Sequence, residues 1–113
     1  MSSEIRIVWV TAPADEADRI ARGLVQERVA ACVNVVPTIR SVYRWQGAIE
    51  EAPEALLVIK TTAERFAALE HAVMRLHPYD VPEVLAVPVS AGLPAYLAWV
   101  AEEVREGEAG APR

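Results

Sequence analysis

The chain has one cysteine, two histidines and one phenylalanine in 113 residues, and each scarcity removes a class of protein. A lone thiol, Cys32, cannot close an intrachain disulfide, so the fold must rest on its core, and a reducing compartment, the cytoplasm, is the expected location. His71 and His77 are too few for a multi-histidine metal site and supply hydrolytic triads poorly. A glycine-rich phosphate loop, closely spaced cysteines, HExxH and a nucleophile elbow are all missing, and an enzyme is therefore not expected. Apolar runs such as residues 55–59 and 84–89 fall far short of the ~20 residues a bilayer-spanning helix needs. The start, Met1-Ser2-Ser3-Glu4, lacks the basic and then apolar segment of a secretory leader. Sixteen acidic residues outnumber eleven basic ones for a net charge of -5, which disfavours a phosphate backbone and admits cations. Neither a membrane nor a nucleic acid is an expected partner.

What remains is plentiful apolar surface. Hydrophobic residues make up 53% of the chain against 24% charged, enough for one core and more than a small core uses. Burial in a subunit interface would account for the excess. The expected organisation is a single domain over residues 1–106 followed by a flexible tail over 107–113, where glycines, a proline and charges gather.

Along the chain, IRIVWV (5–10) reads as a central strand, apolar at nearly every position. Thr11 or Ala12 is placed to cap a helix with Pro13 in its first turn and Asp15 and Glu16 behind it. Ala17, Ile20, Ala21, Leu24, Val25 and the stem of Arg28 form its apolar face. ACVNVV (31–36) is a second strand, bent or bulged at Pro37 as befits an edge. Ile39, Ser41, Tyr43 and Trp45 then alternate up to a turn at Gln46-Gly47, and ALLVIKT (55–61) suits a central strand. The arms around Gly47 are longer than two helices require, so the hairpin over 39–53 is expected to project, its aromatic tip stabilised by another subunit. Thr61 and Glu64 fit a capping box for a helix with Phe66, Leu69, Val73 and Leu76 on its face, ended by Pro78. A fourth strand (84–89) contains Pro88 and reads as an edge. A third helix opens at Gly92-Leu93-Pro94 and carries Leu93, Tyr96, Leu97, Val100 and Val104. Right-handed crossovers joined by a hairpin give an α+β fold of ferredoxin-like, split β-α-β-β-α-β arrangement, with two helices on one face of an antiparallel sheet and an extra C-terminal helix.

The densest polar stretch is His77-Pro78-Tyr79-Asp80-Val81-Pro82-Glu83. Its imidazole and carboxylates are suited to a cation or to acid-base work on a small ligand, and equally to a histidine that merely finishes a helix. Cys32 shares a strand side with Asn34 and reads either as a buried inert thiol or as a soft-metal ligand, best matched to Cu(I). Tyr43, Arg44 and Trp45 read as interface packing or ligand contacts. Lys60, in a central strand, needs solvent, an anion or an acidic side chain beside its ammonium. His71 lies off the helix stripe and reads as a surface residue.

Five segments together resemble the CutA family, the divalent-cation tolerance proteins. They are Glu27-Arg28-Val29-Ala30-Ala31-Cys32-Val33-Asn34, Ser41-Val42-Tyr43-Arg44-Trp45-Gln46-Gly47-Ala48-Ile49-Glu50, Leu57-Val58-Ile59-Lys60-Thr61, the 77–83 stretch, and Tyr96-Leu97-Ala98-Trp99. They stand in the family's order over about residues 5–104. The resemblance implies a ferredoxin-like subunit in a tight homotrimer, with hairpins carrying the sheets across subunit boundaries. It also implies tolerance of copper and other divalent metals, with Cys32, His77 and Glu83 as proposed ligands and no organic cofactor. A second function class follows from resemblance to trimeric signalling proteins of the same subunit fold. In that reading an intersubunit cleft, drawing on Lys60, Tyr79 and Asp80 or Glu83, binds a small anion or an unidentified protein partner without catalysis.

Overall fold

The computed structural model describes residues 4–106. The tail expected over 107–113 lies outside the described residues. Seven elements follow in order: β1 (Ile5–Ala12), α1 (Ala14–Gln26), β2 (Cys32–Trp45), β3 (Ala48–Thr62), α2 (Phe66–Leu76), β4 (Leu85–Pro88) and α3 (Pro94–Glu103). Among the described residues no helix is long and apolar enough to cross a membrane.

Alternation within the two central strands builds the core. Val8, Val10 and Ala12 of β1 and Ala55, Leu57 and Ile59 of β3 point to one face and are fully buried. There they meet Ala17, Ile20, Ala21 and Leu24 of α1 and Leu69, Ala72 and Val73 of α2. Each helix presents one apolar stripe to that face, as a period of 3.6 residues allows. Val25, expected in the α1 stripe, is exposed instead. The sheet order is β2-β3-β1-β4, with every neighbour antiparallel, so β1 and β3 are central and β2 and β4, marked by Pro37 and Pro88, are edges, while Pro53 of β3 lies in the stretch that pairs with β2 alone.

Both expected helix caps are corrected. Thr11 and Ala12 belong to β1, and Pro13 itself occupies the first cap with no side-chain bond. Thr61 is buried, and its hydroxyl donates to the Val29 carbonyl at 2.7 Å. Thr62, one residue on, instead accepts from the Arg65 N–H at 3.3 Å. A strand that continues to Thr62 delays α2 by about a turn, and a fully buried hydroxyl must take the nearest carbonyl.

Only one end of the opposite sheet face is covered. There Val100 of α3, with Val104, packs on Ile5 and Ala31, and Val89 and Leu97 adjoin them. Leu93 and Tyr96, expected in the α3 stripe, are exposed. Across the rest of this face Ile7, Trp9, Leu56 and Val58 are only half-buried, and Val36, Leu85 and Val87 are exposed.

The projecting hairpin is present. β3 has 15 residues and β1 has 8, so β3 pairs with β1 only from Ala55 onward, and Ala48 to Glu54 pair with β2 alone. A register shift between Val36 and Ile39 places the bend at Pro37. Glu50, Glu51 and Glu54, which would not suit a central strand, belong to β3 because this part of the strand has left the centre. Gln46 and Gly47, with φ of 49° and 83°, turn the tip in the doubly left-handed conformation of a two-residue hairpin loop. Fifteen residues at ~3.3 Å each reach roughly 50 Å, in keeping with a longest extent of 48 Å.

Because Leu57 is completely buried between the helices, Leu57→Ala should cost about 2–5 kcal/mol in urea unfolding. A loss under about 1 kcal/mol would contradict the assigned core.

Candidate functional site

Some of the polar residues singled out in the sequence fall into two clusters at different places along the sheet. The first sits at the foot of the hairpin. α2 stops as His77 turns to an extended conformation ahead of Pro78, its N–H still bonded to the Val73 carbonyl at 2.8 Å. Its side chain is buried, with Nε2 2.8 Å from the Thr11 carbonyl oxygen and Nδ1 3.1 Å from the Tyr79 backbone nitrogen. A backbone N–H can only donate, so Nδ1 carries the lone pair and Nε2 the proton. Both ring nitrogens of a neutral imidazole are thereby spent on main chain. The ring also lies 4.7 Å from that of Tyr79.

Tyr79 extends the cluster. Its hydroxyl donates to Glu54 Oε2 at 3.0 Å, and Glu54 is only 6% exposed. Burial, then the Glu54 hydrogen bond and charge, then the nearby Tyr43 push the Tyr79 phenol up to about 12. An imidazole, a phenol and a buried carboxylate thus tie the end of β1, the root of the hairpin and the loop after α2 together. The arrangement fastens three chain segments and leaves no free basic nitrogen at His77.

The second cluster lies on the uncovered sheet face. Cys32 of β2 stands opposite Lys60 of β3, which stands opposite Ile7 of β1. The Lys60 ammonium donates to Asn34 Oδ1 and comes 3.8 Å from Cys32 Sγ. Tyr96 reaches over from α3, its phenol raised by burial and by the charge and hydrogen bond of Cys32. Trp99 packs beside Tyr96 with ring centroids 5.6 Å apart.

One subunit does not unite the expected metal ligands. Thr11, which holds His77, stands opposite Leu56, whereas Cys32 stands opposite Lys60, so the two sites are separated by more than ~13 Å along the strands alone. Glu83 and Asp80 are exposed in the loop beyond α2, and Trp45 is exposed at the hairpin tip. Among the described residues no group of three or more His, Cys, Asp or Glu side chains is placed to hold a metal ion. The set Cys32, His77 and Glu83 therefore does not fit a metal within a single chain. Of the expected cleft residues, Tyr43 and Tyr79 come together and Lys60 stands with the other cluster. Sequence reasoning missed Glu54, Thr11 and Tyr96, because only the strand register and the placement of α3 show what they touch. The shared side of Cys32 and Asn34 was legible from strand alternation.

Fold and site define a small α+β protein of ferredoxin-like topology with an overlong hairpin, a buried histidine clasp and a thiol-ammonium pair on an open sheet face. Residues 6–103 match the model of the CutA1 divalent ion tolerance protein family. The "Divalent-cation tolerance protein CutA" of Thermus thermophilus is 50% identical over 85% of this chain and 94% of its own length. The "Protein CutA homolog" of Xenopus laevis is 47% identical over 94% of this chain and 71% of its own. A crystal structure of CutA1 from Oryza sativa superposes with a TM-score of 0.90 at 42% identity, covering 93% of this chain and 97% of that one. The chain belongs to the CutA family of divalent-cation tolerance proteins.

Two measurements check the clasp. His77→Leu strands a buried carbonyl and a backbone N–H, which should cost about 2–5 kcal/mol in urea unfolding. A near-neutral substitution would show that the clasp contributes nothing. For Tyr79, the folded phenol lies at about 12 against an ordinary 10.0. Above pH ~10 the unfolded chain gives up this proton first, so its stabilising contribution, intact below that pH, falls as pH rises toward ~12. Tyr79→Phe should flatten that part of the stability-pH curve; an unchanged slope would contradict the assignment.

Proposed function

We propose that the chain acts as a non-enzymatic cytoplasmic homotrimer that serves divalent-cation tolerance by binding a divalent metal, copper foremost, with donors completed between subunits. The observation that carries this reading is the uncovered apolar sheet face together with the bare hairpin. Trp45 is 60% exposed and Ile49 65%, on an arm that pairs only with itself. Exposed apolar surface of this extent, rimmed by polar groups, is characteristic of an interaction surface. The hairpin tip of one subunit and the sheet face of the next are different surfaces, so their contact is heterologous, the kind that forms a ring when the rotation between copies closes. Three copies close it, in keeping with the family resemblance.

The same geometry bears on the metal. Cys32 lies on the face to be covered, and Glu83 lies in a loop at the other end of the subunit, so a head-to-tail contact is the way for them to share a site. A thiolate favours the softer late metals, Cu(I) above all, and a carboxylate accommodates a divalent ion. His77 can join such a site only by releasing the Tyr79 amide, so it ranks third of the three expected ligands.

Light scattering on the purified protein should give the trimer mass at micromolar concentration. Trp45→Ala should weaken assembly by about 2 kcal/mol or more per contact; a monomeric parent would sink the assembly. On chelator-treated protein, copper calorimetry should show stoichiometric binding that Cys32→Ser and Glu83→Gln diminish. Heats indistinguishable among the parent, these two variants and His77→Ala would remove the metal assignment while leaving the trimer standing.

A further inference from the structure

Three regularities of the sheet end at one place. Ala12 of β1 pairs with Ala55 of β3, and beyond that pair β3 has no partner on this side. On its other side the ladder steps from Val36 opposite Leu56 to Ile39 opposite Glu54. Pro37 and Thr38 therefore share the single residue Ala55, the two-against-one count of a β-bulge. Pro37 and Pro53 flank the same point and have no N–H to give to a ladder. An open cleft lined by Thr38, Arg40, Glu51 and Pro53 lies just beyond it and leaves room for bending. Past this junction the pairing is regular again from Ile39 opposite Glu54 to Trp45 opposite Ala48, and Arg40 forms an ion pair with Glu51 across the two strands, so the ribbon holds together as a unit. A stiff arm on an under-bonded joint is a hinge.

One chain of hydrogen bonds crosses the joint. The Tyr79 hydroxyl donates to Glu54 on the ribbon side at 3.0 Å, the Tyr79 N–H donates to His77 Nδ1 at 3.1 Å, and His77 Nε2 donates to the Thr11 carbonyl on the core side at 2.8 Å. Among the described residues no other side-chain hydrogen bond or ion pair joins residues 37–54 to the rest of the chain. His77 and Glu54 are both buried, which keeps water from competing for these bonds. Leverage makes a small rotation matter. From Glu54 to Ala48 the arm reaches roughly 20 Å, so a swing of about 3° displaces the tip by about 1 Å. A gap of ~0.5–1 Å already forfeits roughly a quarter to a half of a van der Waals contact. Trp45 and Ile49 can therefore pack closely on a neighbour only if the joint is held.

We propose that Glu54, Tyr79 and His77 are positioning residues that brace a hinge at the root of the hairpin and so aim its aromatic tip at a second copy of this chain. The hinge and its brace rest on bonds within one subunit, whereas their target rests on the assembly proposed above.

The test compares the full chain of the parent, Tyr79→Phe and Leu57→Ala by amide hydrogen exchange and by dissociation on dilution, followed by light scattering. Tyr79→Phe keeps the ring and removes the hydroxyl that meets Glu54. It should speed exchange of the ribbon amides over 39–53 by about tenfold while amides of β1 and α1 keep the parent's rates. It should also raise the dissociation constant of the assembly by about tenfold or more. In a Trp45→Ala background the same substitution should raise that constant far less, because an arm without its anchor has little to aim, whereas remote substitutions acting independently would add. Leu57→Ala weakens the core and should speed the core amides without reproducing the shift in dissociation. Ribbon exchange in Tyr79→Phe equal to that of the parent overturns the brace. So does a shift in dissociation that Leu57→Ala matches, or one that persists undiminished alongside Trp45→Ala. A monomeric parent defeats the assembly rather than the brace, which then stands or falls on the exchange result alone.

Discussion

The mismatch in length between the two central strands governs the rest of the molecule. β1 can satisfy β3 over only 8 of its 15 residues. Where both are present, alternate side chains bury themselves under two helices and give an ordinary small core. Where β1 ends, β3 has one partner left and neither face is covered, so a two-stranded ribbon carries valine, tyrosine, tryptophan and isoleucine into water. Isolated ribbons of this kind are marginally stable. The excess of apolar residues over what one core can use is located there and on the half-covered sheet face.

At the point where β1 runs out, the polar clasp takes over. Ladder bonding stops at Ala12, and the chain after α2 supplies His77 to the Thr11 carbonyl and Tyr79 to the buried Glu54 carboxylate at the root of the ribbon. This placement explains why the histidine is poorly suited to a metal. A ligand must offer a lone pair, and the lone pair of His77 is already used to hold its own loop. Cys32, farther along the sheet, has a cation as its neighbour. Within one subunit, charge and hydrogen bonding separate the very residues that family resemblance groups together.

Most of the architecture was legible because strands and helices announce themselves by period. IRIVWV and ALLVIKT are apolar on both sides as central strands should be, Pro37 and Pro88 mark the two edges, and Gln46-Gly47 marks the turn. The errors arose where one residue decides the outcome. Thr61 and Thr62 are chemically alike, and only burial assigns one hydroxyl to Val29 and the other to the start of α2. Glu54 carried no local sign of its role, because its partner Tyr79 stands 25 residues away in sequence. The site was less legible than the fold, since separation in space between Cys32 and His77 depends on register and facing, which no local pattern records.

The register shift between Val36 and Ile39 separates the ribbon from the core in a further sense. Side chains in a ladder alternate with period two, so a single added residue in one arm would reverse every face beyond it. A bulge at the junction absorbs such an odd residue before the ribbon begins. The reach of the arm can therefore vary over evolutionary time, in matched steps of two residues per strand, while the packing between helices and sheet stays as it is. Hairpin length becomes an inheritable variable independent of the core, and related chains can adjust how far they extend toward their neighbours without having to refold around the change.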